Sequence, residues 1–302
     1  MKIIFMGTPQ YAFVILKKLL QSNDIEVVAV YTQPDKEVGR KKILTPPVVK
    51  VLAQEHGIPV YQPNRLRDKE VVDELLKIEC DYIVVAAYGQ ILPKEILSYV
   101  PCINLHASIL PEYRGASPIQ QTLLNADSKT GISAMLMDEG LDTGDIIKIE
   151  EIKVENSDMS ECLFDKLSVV AADLTLDVLR NFSNYKPLKQ DSSKATYCKK
   201  ITKADGEVEF NNAQEIFNKY RAFTPWPGIY LKSGLKLKQI ELNETQSQNN
   251  GGEILNIQKD FIIVGCTQGS IKVYQLQSES KSQMSSISYI NGKRLKIADL
   301  LS

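Results

Sequence analysis

Short apolar, β-rich runs alternate with helix-length segments through the first 185 residues of this 302-residue chain, and that alternation constrains its fold more than any other feature. The runs are "KIIFM", "EVVAVY", "YIVVAA", "CINLH" and "GISAMLM". Between them lie helical segments over Gln10–Leu20, Pro47–His56, Asp68–Ile78 and Ser117–Asn125. Strands that are apolar along most of their length have no solvated face, so helices must cover both sides of the sheet. The pattern therefore predicts a doubly wound, Rossmann-like α/β domain with a parallel sheet. Folds of that kind hold ligands beyond the C-terminal ends of their strands, where the strand order reverses. A long amphipathic helix over residues 157–182 ends this part of the chain.

The length suits two domains. Residues 1–186 form the first, the lysine-rich and patternless stretch 187–204 reads as a linker, and residues 205–302 form the second. There the texture changes to a helix near Ala213–Ala222 followed by the short strands "GIYLK", "KLKQIEL", "GGEILNIQ", "FIIVGC" and "SIKVYQLQ", which predict a small, OB-like β-barrel. "NETQSQNNGG" reads as a loop between two of these strands, and Trp226 in "FTPWPGIY" as either a core anchor or a stacking surface, with the core role favoured. Charge is uneven: residues 1–185 carry 19 Lys+Arg against 26 Asp+Glu, and residues 186–302 carry 17 against 11. A basic second part suits an anionic partner, but on charge alone an unevenly charged solvated surface is the favoured reading.

Other classes are poorly supported. The five cysteines form no CxxC pair, which argues against both a zinc site and a disulfide framework and suits a reducing cytoplasm. No run of about 18 apolar residues is present to cross a membrane, and "MKIIFMGTPQ" reads as a buried strand rather than a signal peptide.

Chemistry concentrates at "INLHASILPEYRG". Only two histidines occur, and His56, before Gly57, reads as a helix cap or surface residue. His106 differs. Strand side chains alternate, so Asn104 and His106 share one face of a strand at its C-terminal edge. Downstream, "DEGLDTGDI" offers Asp138, Glu139, Asp142 and Asp145 on a Gly-rich turn. A carboxylate near a histidine orients its ring, and an Asn amide can donate to a developing oxyanion. The combination suits addition of a nucleophile to a carbonyl. The absence of a GxSxG elbow favours direct transfer to an amine over a covalent enzyme intermediate. Arg114 either holds the loop, meets an anionic group or pairs with an acid such as Glu112.

"NLHASILPEYRGASPIQ" followed by "DEGLDTGDII" resembles the folate-dependent formyltransferases, and "MGTPQYA", "AAYGQILP" and "RAFTPWPGIY" extend the likeness to those members that act on methionyl-tRNA. The resemblance runs nearly end to end. It implies catalysis by Asn104, His106 and Asp142, with 10-formyltetrahydrofolate as the formyl donor and no metal. It also implies that the pterin lies against Tyr88, Gly89, Gln90, Ile91 and Leu92, against Leu141 beside Asp142, and against the turn Ser108, Ile109, Leu110 and Pro111. The long connection "TQPDKEVGRKKILTPP" matches an insertion that, in this family, enters the acceptor arm of the initiator tRNA; Arg40 matches its arginine, and Lys41 and Lys42 flank it. A monomer is implied. Many members carry Ile-Asp-Trp where this chain has Val208, Glu209 and Phe210.

Three rivals share parts of this pattern. A formyltransferase acting on an amino-sugar nucleotide or on glycinamide ribonucleotide would use the same Asn, His and Asp but would not need the Arg40 loop or a basic second domain. A nicotinamide oxidoreductase fits the fold, but "GTPQYA" is not GxGxxG. A non-catalytic RNA-binding protein would explain the charge but not Asn104 and His106.

Overall fold

The structure is a computed structural model that describes residues 1–39 and 41–301. Two compact units are present: one comprises Met1–Pro118, Ser128–Val154 and Cys162–Lys199, and the other comprises Ile119–Asp127, Glu155–Glu161 and the chain from Lys200 onward. Up to Lys199 the elements are β1 (Lys2–Gly7), α1 (Gln10–Leu20), β2 (Glu26–Tyr31), β3 (Lys36–Val38), β4 (Ile43–Thr45), α2 (Val48–Glu55), β5 (Val60–Tyr61), α3 (Lys69–Leu75), β6 (Tyr82–Ala86), α4 (Lys94–Leu97), β7 (Cys102–His106), β8 (Arg114–Gly115), α5 (Pro118–Leu124), β9 (Lys129–Leu136), β10 (Ile146–Lys153), α6 (Ser160–Asn181) and β11 (Tyr197–Cys198).

Seven strands form the main sheet, in the order β10-β9-β7-β6-β1-β2-β5. The pairs β1–β2, β2–β5, β1–β6 and β6–β7 are parallel, as the alternation predicts. The last two strands are not: β9 runs antiparallel to β7, and β10 antiparallel to β9. Apolar periodicity reports burial and carries no strand direction. The short connection over 137–145 returns the chain directly beside β9, which only an antiparallel pair allows. The order reverses at β1, between β2 and β6, so the crevice faces the loops after β1 and β6.

Packing follows the sequence closely. Ile3, Ile4, Phe5 and Met6 of β1 have no solvent exposure, and α1 buries Ala12, Ile15, Leu16 and Leu19 at a spacing of three and four residues. The turn between β1 and α1 needs Gly7: a Cβ there would lie 2.5 Å from the Ala12 Cβ and 2.9 Å from the Ala86 carbonyl oxygen. That contact is the physical content of "MGTPQYA". His56 caps α2, its Nδ1 lying 3.0 Å from the Leu52 carbonyl oxygen.

The stretch read as a linker behaves differently from that reading over its first part. Leu188 exchanges two backbone hydrogen bonds with Ile146, and β11 pairs with β8, so residues 187–199 run within the first unit. A polar, patternless sequence gave no sign of these long-range pairings.

The second unit holds α7 (Ala213–Phe223), β12 (Ile229–Tyr230), β13 (Lys236–Gln248), β14 (Ile254–Ile257), β15 (Ile262–Gly265), β16 (Gln268–Gln277), β17 (Met284–Ser285) and α8 (Ser286–Lys293). Its six strands pair antiparallel in the order β12-β13-β16-β15-β14, with β17 on β16. Among the described residues no ladder joins β12 to β14, the open edge being a feature OB-like barrels share. "NETQSQ" is not a loop: β13 continues through it to Gln248, held opposite β16, and Asn249 donates to the Gly269 carbonyl at 2.8 Å. Trp226 is 61% exposed rather than a core anchor. Phe223 and Ile229, on either side of the proline turn, fill the core instead. Among the described residues no helix is long and apolar enough to cross a membrane.

Burial pushes the Cys80 thiol up to about 11 and those of Cys102 and Cys266 up to about 12, and it raises Cys198 as well. Thiolates react and thiols do not. The native protein at pH 8 is therefore expected to react with a colorimetric disulfide reagent at one cysteine, the exposed Cys162, and at all five after denaturation; two or more fast thiols in the native state would contradict this packing.

Candidate active site

β7 carries two of the expected catalytic residues. Asn104 sits opposite Val85 on one side and Met135 on the other, and His106 sits opposite Ser133. The backbone of β7 is thus paired on both sides, which fixes where its two polar side chains project. His106 is 6% exposed. Its Nε2 lies 2.9 Å from the Tyr113 carbonyl oxygen, a group that only accepts, so Nε2 carries the hydrogen. Nδ1 faces the Asp142 carboxylate at 3.7 Å.

Asp142 stands on the loop between β9 and β10 with a φ of +52°, a left-handed conformation that aspartate tolerates better than most residues. One carboxylate oxygen accepts from the Gly115 N–H at 2.8 Å, and the other accepts from the Asn104 amide at 3.4 Å. Among the described residues the second N–H of that amide meets no protein acceptor. Asn104, His106 and Asp142 therefore come together, as expected. Of the other acids on the turn, Asp138 is occupied locally, accepting from the Gly140 N–H and the Thr143 hydroxyl.

The loop after β7 is tied to the sheet through one hydroxyl. Ser133 donates to the Ser108 carbonyl at 2.7 Å and accepts from the Leu110 N–H at 3.0 Å. Ser108 and Leu110 are buried, the Ser108 hydroxyl donates to the Glu112 carbonyl, and Ile109 and Pro111 are half-buried. The turn is thus held through the Ser108 carbonyl, the Leu110 N–H and the Ile109 carbonyl, which accepts from the Glu112 N–H at 3.1 Å.

The segment after β6 lies at the point where strand order reverses. Ala87 and Gly89 take positive φ values of +47° and +80°, and between them the Tyr88 carbonyl accepts from Gln33 at 3.0 Å. Gln90 is occupied on both sides, accepting from the Leu66 N–H at 2.6 Å and donating to the Pro63 carbonyl at 2.9 Å. Tyr88 and Leu92 are buried in the core cluster, whereas Ile91 is 85% exposed. Leu141, on the aspartate loop, is 62% exposed. Lys94, which opens α4, and Glu139 on the aspartate loop approach to 3.8 Å.

Four contributors had no signal in the local sequence: Ser133, Thr196, Cys198 and Gln190. Thr196 accepts from the Tyr113 N–H at 2.8 Å, and the Cys198 thiol donates to the Tyr113 carbonyl at 3.3 Å. The Gln190 amide donates to the carbonyls of Asp142 and Gly144 at 2.9 and 2.7 Å. Arg114, only 2% exposed, donates to the Gln190 amide oxygen from Nε at 3.1 Å and Nη2 at 2.7 Å, so it holds the loop and does not pair with Glu112. Gly115 must be glycine: its φ is +120°, and a Cβ would collide with the Cys198 carbonyl oxygen.

The Arg40 connection is a β3–β4 hairpin with Val38, Ile43 and Leu44 exposed. Lys41 and Lys42 are exposed near its tip, Lys42 with a φ of +48°, and Arg40 lies outside the described residues. Among the described residues no group of three or more His, Cys, Asp or Glu is placed to hold a metal ion.

Comparison with known proteins gives a consistent result. The sequence model of the family described as Formyl transferase matches residues 1–179, and that of the Formyl transferase C-terminal domain matches residues 200–294. The chain is 71% identical over 302 residues to the methionyl-tRNA formyltransferase of Sulfurimonas denitrificans, covering all of both chains. It is 54% identical over 301 residues to that of Nitratiruptor sp., covering 99% of each. Among solved structures it resembles the sugar 3N-formyl transferase WlaRD, with a TM-score of 0.69 and 22% identity over 93% of this chain and 99% of that one. An N-formyltransferase from Helicobacter canadensis gives a TM-score of 0.69 and 18% identity over 91% and 99%. At such identity these two speak for the fold alone. The match along the whole length shows that the chain belongs to the formyltransferase family, among its methionyl-tRNA formyltransferases.

Proposed function

We propose that this enzyme transfers the formyl group of 10-formyltetrahydrofolate to the α-amino group of methionyl initiator tRNA, acting as a cytoplasmic monomer in translation initiation. The observation that carries the reading is the convergence of Asn104, His106 and Asp142 in a chain 71% identical to a methionyl-tRNA formyltransferase over its full length. A folate fits what the loops offer. Ile91 and Leu141 expose apolar surface and Ile109 is half-buried, which suits a flat heterocycle.

The folate supplies the formyl carbon on its N10 nitrogen. The amine nitrogen bonds to that carbon, the carbon–N10 bond breaks, the amine loses a proton and N10 gains one, so that tetrahydrofolate leaves with an N10–H. Asn104 offers its second amide N–H to the negative charge that develops on the formyl oxygen. The Tyr113 carbonyl keeps the Nε2 hydrogen of His106 in place. Nδ1, which makes no hydrogen bond among the described residues, is the nitrogen left to take the proton from the amine. Asp142 faces Nδ1 at 3.7 Å, too far for a hydrogen bond in the free enzyme and close enough to orient and stabilise a proton arriving there. Transfer is direct, with no acyl-enzyme.

The tRNA would meet the exposed β3–β4 hairpin with Arg40, Lys41 and Lys42, and the basic second unit, through phosphate contacts. The amino-sugar rival has no use for either feature.

Formyl transfer from 10-formyltetrahydrofolate to charged initiator tRNA tests the reading. Asn104→Ala and His106→Ala are each expected to lower kcat by about 100- to 1000-fold with tRNA binding retained. A wild-type enzyme that formylates a small amine and ignores the tRNA would sink the assignment of substrate. Arg40→Ala is expected to raise KM for tRNA, leave folate binding unchanged, and reduce the slope of log affinity against log salt by about 1. An unchanged slope would remove Arg40 from the phosphate contacts.

A further inference from the structure

We infer that Gln190 is a positioning residue for the transfer reaction: its amide clamps the aspartate loop so that the Asp142 carboxylate meets Asn104 and His106. The inference rests on the role given to Asp142 above. Gln190 is 8% exposed and is placed by the backbone exchange of Leu188 with Ile146 at the start of β10. Its four polar contacts join two segments. On one side Nε2 donates to the carbonyls of Asp142 and Gly144, which flank the turn that carries the carboxylate. On the other side Oε1 accepts from both Nε and Nη2 of Arg114.

The orientation of the amide has only one chemical solution. A guanidinium donates and never accepts, so it must face the amide oxygen. Backbone carbonyls accept and never donate, so they must face the amide nitrogen. Arg114 thus fixes the rotation of the Gln190 amide, and the amide fixes the loop. Asp142 sits at a φ of +52°, a conformation aspartate adopts readily, so the placement of its carboxylate depends on the hydrogen bonds that hold the loop. Arg114 and Gly115 are adjacent, and the Gly115 N–H binds the Asp142 carboxylate at 2.8 Å. The same short strand therefore grips Asp142 twice, directly through its side chain and through Gln190 at its backbone. A loop displaced by about 1 Å costs on the order of 100-fold in rate where geometry is decisive.

Two substitutions separate clamping from mere satisfaction of a buried arginine. Gln190→Met keeps the shape and removes every hydrogen bond. Gln190→Glu gives Arg114 a better partner but turns a carboxylate oxygen toward two carbonyls. Single-turnover formyl transfer is measured for both, for Asp142→Asn, and for Gln190→Met combined with Asp142→Asn, with melting temperatures as a check on folding.

Both Gln190 variants are expected to slow transfer by about 10- to 100-fold, with KM for folate and for tRNA within about threefold of wild type. In the Asp142→Asn background Gln190→Met should cost nothing further, because the group it positions is gone. A wild-type rate in Gln190→Glu would show that Gln190 serves only Arg114, and an equal loss with and without Asp142 would show a general structural role; either overturns the inference. If Gln190→Met fails to fold, Gln190→Glu, which keeps Arg114 paired, decides alone. A wild-type rate in Asp142→Asn would instead overturn the role of Asp142 itself, a failure distinct from the others.

Discussion

The Asp142 carboxylate reaches an amide, an imidazole and a backbone N–H that come from two other parts of the chain, and the candidate site is arranged around those three approaches. Only the contact with Gly115 is a short hydrogen bond, at 2.8 Å. The approaches to Asn104 and His106, at 3.4 and 3.7 Å, are looser. With its side chain only 13% exposed, the carboxylate is largely shielded from water.

Support for this arrangement comes from groups with no chemistry of their own to perform. The Tyr113 carbonyl lies at the junction of His106 and the Cys198 thiol. One buried hydroxyl, that of Ser133, holds both ends of the turn that follows β7. Each such group would be costly to bury alone, by about 1–3 kcal/mol, and each is paired. The antiparallel β9 makes the second device possible, because it sets Ser133 directly opposite His106.

Local pattern carried much of this fold and the chemical core of the site. Helix α1 occupies the residues its apolar spacing assigns, Gln10–Leu20, and the period of two along "CINLH" put Asn104 and His106 on one face. What local pattern lacks is partners. The apolar run of β9 says that it is buried and not which way it runs. Trp226 looked like core because large aromatics mostly are, but the turn around it was already filled by Phe223 and Ile229. "NETQSQ" has the composition of a loop, and only its pairing with β16 makes it strand. Gln190 and Thr196 sit in a stretch of ordinary polar residues, and their importance lies in contacts 48 and 83 residues away in sequence. The roles of the folate segments came from resemblance to a family and not from periodicity.

The pairing of β11 with β8 has a consequence for synthesis. A ribosome delivers the chain from its N-terminus, and residues that shape the surroundings of His106 arrive late. His106 leaves the exit tunnel long before Thr196 and Cys198, which hold the Tyr113 backbone, and before Gln190, which holds the aspartate loop. At about 5–20 residues per second, the seven-stranded sheet has seconds to form before its own catalytic loops can be locked. The nascent chain thus exposes His106 before the residues that hold its surroundings have been made.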